Sequence, residues 1–275
     1  MPHSKLPKNP HKPGQILWQN HQLVVSWKPA GYLSVPSQLG KQDPRPVWGK
    51  ELEERLTQRL YPVHRLDLAV EGIILFTKTP QAQRLLQKAF ETKQVTKWYQ
   101  AFSFGGSWAK PFEVTWKSKI LSGKKRAYER DWGEPSLTVA KLVKVWSYAD
   151  LKQSGLEPYW HAPEDLAQEK TDRFKSSVGE TTYDSTPSPQ IPVHFYEWKL
   201  SPVTGKRHQL RFELYKHQSP ILGDELYGSP FSLPGGRIAL RAIELSMDTK
   251  LAQELKSPAR FTIPSWSQPK SCAET

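Results

Sequence analysis

Apolar residues along this chain follow two rhythms. Alternating or continuous β-rich runs occur at 23–27 (LVVSW), 73–76 (IILF), 95–104 (VTKWYQAFSF), 112–116, 137–146, 193–200 (VHFYEWKL), 237–247 (RIALRAIELSM) and 260–264. Each is bounded by turn residues and predicts a strand. The run at 73–76, between Gly72 and Lys78, has no polar face and predicts a strand buried on both sides. The run at 237–247 predicts a central strand, and 260–264 an edge strand. A short strand is expected at Pro220-Ile221-Leu222, before a turn at Gly223-Asp224. A helical rhythm appears at 47–60, where Leu52, Leu56 and Leu60 recur every four residues. It appears again from Thr79-Pro80 to Lys93-Gln94, with Thr as N-cap, Pro at the first helical position, and Ala82, Leu85, Leu86, Ala89 and Phe90 on one face. Leu210 and Leu214 predict a third, short helix. Lys28-Pro29-Ala30-Gly31 predicts a turn, and 117–130 a basic loop. Strand–helix–strand order with many strands implies an α+β fold: a mixed, twisted sheet flanked by helices and loops.

Two stretches break the pattern. Residues 1–15 are basic and aperiodic, and are expected to form a flexible tail, with a second tail at 267–275. Residues 147–192 are acidic and weakly periodic. They are expected to be an insertion on one face of a single domain spanning 16–266, because so long a structureless loop is unusual inside a compact domain.

At 275 residues and 37% hydrophobic content, the chain can bury a sizeable core. No apolar run approaches the roughly 20 residues of a membrane span, and the N-terminus lacks an apolar signal core. Cys272 is the sole cysteine, so no internal disulfide framework or cysteine-built metal site is possible; a cytoplasmic setting is expected. The net charge is +12, and residues 150–190 hold eight acidic against four basic side chains, leaving +16 elsewhere. Such an excess, interleaved with 11 Trp, 10 Tyr and 10 Phe, suits a polyanion whose phosphates are neutralised and whose bases are stacked. Nucleic acid is therefore the first expected partner, ahead of an anionic membrane surface.

Chemistry gathers in 61–78, YPVHRLDLAVEGIILFTK, where a charged turn opens onto the buried run. A carboxylate and an arginine at the mouth of a buried strand are paired, solvated or catalytic. Three residues stand out: Asp67 in that turn, Tyr99 in VTKWYQAF and Arg211 in TGKRHQLR. Each also has an ordinary role, as a turn carboxylate on nearby N–H groups, a core tyrosine or a solvated arginine. His64 and His208 lack the spacing of helical metal ligands, and neither a metal nor a cofactor is expected.

Taken together and in order, these blocks resemble the RluA-type RNA pseudouridine synthase family. HRLDLAVEG is similar to its HRLD-x-x-T-S-G signature, Lys97-Trp98-Tyr99 to its Lys-x-Tyr strand, and TGKRHQLR to its TGRTHQIR. PILGD followed by Leu226-Tyr227-Gly228 is similar to its P-[IL]-[VL]-G-D-x-x-Y-G, IALRA (238–242) to its LALHA strand, and LVVSWKPAG (23–31) to its LLVVNKPAG. The likeness spans about 16–266, interrupted by the insertion, and leaves no room for the S4-like module of many relatives. It implies a single pseudouridine-synthase-like domain that isomerises uridine in structured ribosomal or transfer RNA, such as a stem-loop. Asp67 would attack C1′ or act as a base at C2′, Arg211 would pair with it, and Tyr99 would stack on the uracil and take part in removing the C5 proton. Arg65 would fill the gap left by the flipped nucleotide, with His64, Leu66, Lys97 and Leu210 also against the substrate. Lys97, Lys117, Lys119, Lys124, Lys125 and Arg126 are candidates for phosphate contacts. A monomer is expected.

The chain departs from the family pattern in three places besides the insertion. Val70-Glu71 stands for Thr-Ser, Lys206-Arg207 for Arg-Thr, and Arg241 for His. Glu71 is expected to add negative charge behind Asp67. Together with the insertion it keeps open an alternative, an RNA-binding protein of the same fold without catalysis. A glycoside hydrolase would need a second carboxylate of distinctive context, and only Asp67 has one.

Overall fold

The computed structural model describes residues 12–147 and 194–267. The expected acidic insertion lies outside the described residues except for Ser147, as do 1–11 and 268–275 of the expected tails. Residues just before Ile16 are already bonded to the next strand: Gly14 N–H donates to Trp27 O and Trp27 N–H donates to Gln15 O, both at 2.9 Å.

Eleven strands among the described residues form one sheet. They are β1 (Ile16–Gln19), β2 (Leu23–Lys28), β3 (Tyr61–Pro62), β4 (Glu71–Thr77), β5 (Val95–Phe104), β6 (Phe112–Ser122), β7 (Ala127–Glu129), β8 (Glu134–Trp146), β9 (Phe195–Pro202), β10 (Leu240–Met247) and β11 (Arg260–Thr262). Their order is β1-β2-β4-β10-β5-β9-β8-β6-β7, with β3 on β4 and β11 on β10. Only β4 and β10 run parallel; the other pairings are antiparallel. Four α-helices among the described residues accompany the sheet: α1 (Trp48–Leu56), α2 (Pro80–Glu91), α3 (Gln209–Lys216) and α4 (Thr249–Glu254). The fold is therefore α+β around a mixed, largely antiparallel sheet.

β4 explains why its sequence has no polar face. All seven of its residues are buried. Ile74 and Phe76 enter a core shared with Trp48, Leu66, Tyr99 and Leu240, whereas Ile73 and Leu75 enter a second core with α2 and α4. A strand covered on both faces needs apolar residues at every position. α2 starts where its sequence says: Thr79 Oγ1 accepts from Ala82 N–H at 3.2 Å, and Pro80 follows. Ala82, Leu86 and Ala89 are its buried face. β10, the expected central strand, lies between β4 and β5.

Three expectations are corrected. The helix expected over 47–60 ends at Leu56, because Thr57 takes a left-handed conformation (φ 48°). Leu60 is still buried, its N–H bonded to Glu53 Oε1 at 2.9 Å. The basic loop expected at 117–130 is mostly β-structure: β6 continues through Ser122, turns, and returns as β7. Its alternation was masked because Ser118, a polar residue, occupies an inward position between Trp116 and Ile120. The strand expected at 220–222 is a single bridge, Ser103 to Ile221. No helix among the described residues is long and apolar enough to cross a membrane.

Candidate active site

The segment between β3 and β4 carries Asp67, and backbone contacts hold it. Ser34 Oγ both donates to Leu66 O (2.8 Å) and accepts from Leu66 N–H (2.9 Å). Gly31 N–H donates to Leu68 O at 2.8 Å, and Val70 N–H closes a turn onto Asp67 O at 3.1 Å. Lys28, fully buried at the end of β2, donates to Pro29 O (2.8 Å) and Tyr32 O (2.7 Å), with Leu68 O at 3.4 Å. Sequence placed Lys28 in a turn and gave it no role. Burial lowers its pKa to about 7, against the pull of Asp67 and Glu71. Where the segment rejoins the sheet, Gly72 has φ 124°, and a Cβ there would lie 2.4 Å from Ala242 O. Only glycine allows β4 and β10 to approach so closely.

Thus held, the Asp67 carboxylate faces a cleft of about 630 Å³. The cleft is lined by Asp67, Tyr99 and Arg211, and also by His64, Arg65, Leu66, Lys97 and Leu210. Residues from 64 to 211 in sequence thereby meet in one cavity, carried by the β3–β4 segment, β5 and α3. Val203 to His208 also line it.

Arg211 pairs with Asp67 at longer range than with a second carboxylate. Its Nη1 lies 3.6 Å from Asp67 Oδ2, an ion-pair distance rather than a hydrogen bond. Its two-pronged pairing goes instead to Asp224, Nε to Oδ2 and Nη2 to Oδ1, each at 2.7 Å. Both partners are buried. Burial disfavours the guanidinium charge, but the hydrogen bonds and charge of Asp224, with Asp67 beyond, hold its pKa above the ordinary value. Asp224 thus fixes the guanidinium and leaves one edge of it toward Asp67. The sequence displayed Asp224 as a turn residue within the PILGD block and gave it no role.

His208 was weighed for metal binding alone, yet it is part of this cluster. Its Nε2 is 3.8 Å from Asp67 Oδ2 and 3.3 Å from Arg211 Nη1, and its Nδ1 is 3.3 Å from Tyr227 Oη. Burial lowers its pKa to about 4, so it is neutral at pH 7. His64 Nε2 accepts from Leu75 N–H at 2.9 Å, and burial lowers its pKa to about 3. It is a neutral wall residue tied to β4. Burial, helped by the Asp67 charge, raises the Tyr99 pKa well above that of an ordinary phenol. Lys97 Nζ lies 5.5 Å from the Phe90 ring centroid, and burial lowers its pKa to about 8. Among the described residues no three His, Cys, Asp or Glu side chains gather to hold a metal ion.

Glu71 does not act as expected. It is buried in β4 beside Arg241 of β10, and its Oε1 accepts from Arg241 Nε (2.8 Å) and Nη2 (2.6 Å). The two departures from the motif neutralise one another, so Glu71 adds no unpaired charge behind Asp67.

Residues 22–216 match the family model described as RNA pseudouridylate synthase. The chain is 28% identical over 243 residues to the dual-specificity RNA pseudouridine synthase RluA of Haemophilus influenzae, covering 87% of this chain and 89% of that protein. It is 29% identical to the Escherichia coli protein of the same name, covering 78% and 77%. To tRNA pseudouridine synthase C of Haemophilus ducreyi it is 26% identical, covering 78% and 73%. The solved structure of human RNA pseudouridylate synthase domain containing 1 superposes with a TM-score of 0.60 at 18% identity, covering 92% of this chain and 86% of that one. A family match over more than half the chain is joined by a fold shared with a pseudouridylate synthase domain, and the chain belongs to the RNA pseudouridylate synthase family, isomerases of uridine in RNA.

Proposed function

We propose that this protein isomerises particular uridines in a folded ribosomal or transfer RNA, with Asp67 as the reacting carboxylate. The observation that carries the reading is the meeting of Asp67, Arg211 and Tyr99 around one cleft. The reaction breaks the C1′–N1 bond, turns the uracil, joins C5 to C1′ and releases the C5 proton. Asp67 attacks C1′ or takes a proton from C2′ as a carboxylate, and Arg211 stands 3.6 Å from its Oδ2. Because Arg211 is already held by Asp224, Asp67 is stabilised without being locked into a tight pair, and its oxygens stay available. Tyr99 is a phenol at neutral pH. Its ring stacks on the uracil, and its oxygen takes the C5 proton while its own proton passes to water. Arg65, exposed at the cleft rim, fills the stack vacated by the flipped nucleotide. The setting is that of a monomer in the cytoplasm, with RNA as its partner.

The binding-only alternative rested on Glu71, whose charge Arg241 cancels, and on the acidic insertion, which lies outside the described residues save Ser147. The test is to map pseudouridines in ribosomal and transfer RNA with and without the protein. New pseudouridine at discrete sites supports the reading; none in any RNA overturns it.

Lys97 gives a pH prediction. Its ammonium loses charge around pH 8, so affinity for RNA should fall as pH rises from 7 to 9. Lys97→Met should remove the part of that fall that the ammonium causes and reduce the salt dependence of binding by about one phosphate contact. Stability moves the other way: the unfolded lysine, with its ordinary pKa of 10.5, holds the proton more tightly, so Lys97's contribution to stability rises between about pH 8 and 10.5. Filter binding and urea titration at the two pH values check both signs.

A further inference from the structure

The β6–β7–β8 region forms an arm beside the cleft, and its surface has features that catalysis at Asp67 does not use. Lys124, Lys125 and Arg126 are exposed at the β6–β7 turn. The arm's Glu129 is paired with Lys216 at 2.7 Å, and Glu134 is paired with Lys206. Among the described residues no ion pair is formed by Lys124 or Lys125, and the carboxylate beside Trp132 in sequence is Asp131. In the β7–β8 turn, Trp132 is 74% exposed, the most exposed large hydrophobic side chain among the described residues. The turn forces it outward. Gly133 N–H bonds Arg130 O at 2.8 Å, and Gly133 packs so closely on β6 that a Cβ would sit 2.6 Å from Lys119 O. Tyr128 and Tyr215, the neighbouring aromatics, carry arginines over their rings, Arg130 at 4.9 Å and Arg126 at 5.6 Å. An uncovered indole in water is unfavourable unless something covers it.

The arm is fastened to the cleft wall. Arg207, which lines the cleft, donates to Gly123 O (2.9 Å) and Lys125 O (3.2 Å). Tyr227 Oη accepts from Ala127 N–H at 2.8 Å and contacts His208. Lys206, paired with Glu134 two residues from Trp132, is also a cleft residue. A polyanion in the cleft therefore passes directly onto the arm.

We propose that this arm is a second RNA contact outside the cleft, where Lys124, Lys125 and Arg126 neutralise phosphates and Trp132 stacks on an unpaired base. The proposal rests on RNA being the substrate and adds where the RNA continues. Trp132 selects RNAs that offer an unpaired base at that distance from the target uridine, a choice made by shape.

Bulk transfer RNA is the probe, and the whole protein is used. Oxidative modification of Trp132, read by mass spectrometry, should slow several-fold when the protein is saturated with RNA. Trp132→Ala should weaken binding by about 5- to 150-fold, the range of one base–aromatic stack, with Trp132→Phe keeping most of the affinity. Changing Lys124 and Lys125 together to Ala should lower the logarithmic salt slope by about 1.5. Equal oxidation of Trp132 in free and RNA-bound protein, with both Trp132 variants binding as wild type, overturns the proposal and leaves the surface to a protein partner. Pseudouridine formation with an unprotected Trp132 sinks the arm alone. Protection without pseudouridine in any RNA sinks the catalytic reading alone, and failure to bind RNA sinks both.

Discussion

Asp67→Ala should release no C5 proton from uridine-labelled RNA, a loss of roughly 10⁴-fold or more, the scale of removing a nucleophile, while RNA remains bound. The structure says why the two effects separate. The Asp67 segment is held by Ser34, Gly31 and Lys28 through the backbone of Leu66 and Leu68, and the turn at Val70 uses the Asp67 carbonyl, not its carboxylate. Removing the carboxylate therefore leaves the segment in place. Arg211 keeps a full counter-charge in Asp224 at 2.7 Å, so no buried cation is stranded. The cleft loses one negative charge, which should tighten phosphate binding slightly. Asp67→Asn should be equally inactive, since an amide of the same shape neither attacks C1′ nor takes a proton. Arg211→Ala is a poorer probe, because it would leave Asp224 buried and unpaired and so confuse chemistry with stability. Tritium release and filter binding on the same variant decide the matter: turnover retained by Asp67→Ala removes this carboxylate from the chemistry.

The parts legible in the sequence were those in which local pattern and tertiary environment agree. β4 is apolar throughout because two cores cover it, α2 begins at a capping Thr before Pro, and β5 has the bounds its β-rich run implies. The residues lining the cleft were legible through motifs, since Asp67, Tyr99 and Arg211 each stand in a distinctive block. What was hidden depends on contacts between distant residues. Asp224 resembled an ordinary turn aspartate, and nothing local says that its carboxylate grips Arg211. Lys28 sat in a good turn sequence, yet the chain folds its ammonium inward onto three carbonyls. The length of β6 was obscured by an inward Ser118, which bonds the buried Glu213 at 3.1 Å and so mimics a loop polarity inside a strand. The end of α1 turned on one left-handed residue, Thr57, a type without a strong preference for that conformation.

Glu71→Ala and Arg241→Ala should each cost about 3–5 kcal/mol of stability, because either leaves an uncompensated charge inside the sheet. The residues are 170 positions apart, and only the parallel register of β4 on β10 sets them side by side. The guanidinium is enclosed: Trp266 lies with its ring centroid 4.0 Å away and Trp27 5.0 Å, and Pro264 O accepts from Nη1 at 3.2 Å. Water cannot easily replace a deleted carboxylate there. Introducing both residues of the usual motif, Glu71→Ser with Arg241→His, removes the two charges together. The double variant should therefore lose less stability than the sum of the matching single changes, with a coupling of about 1–3 kcal/mol. Urea denaturation of the two single variants and the double variant measures that term. Additive losses would mean that the charges are independently solvated. A favourable coupling would show that Glu71 is present because Arg241 is, so that this departure from the motif concerns the seam beside Gly72 and not the chemistry at Asp67.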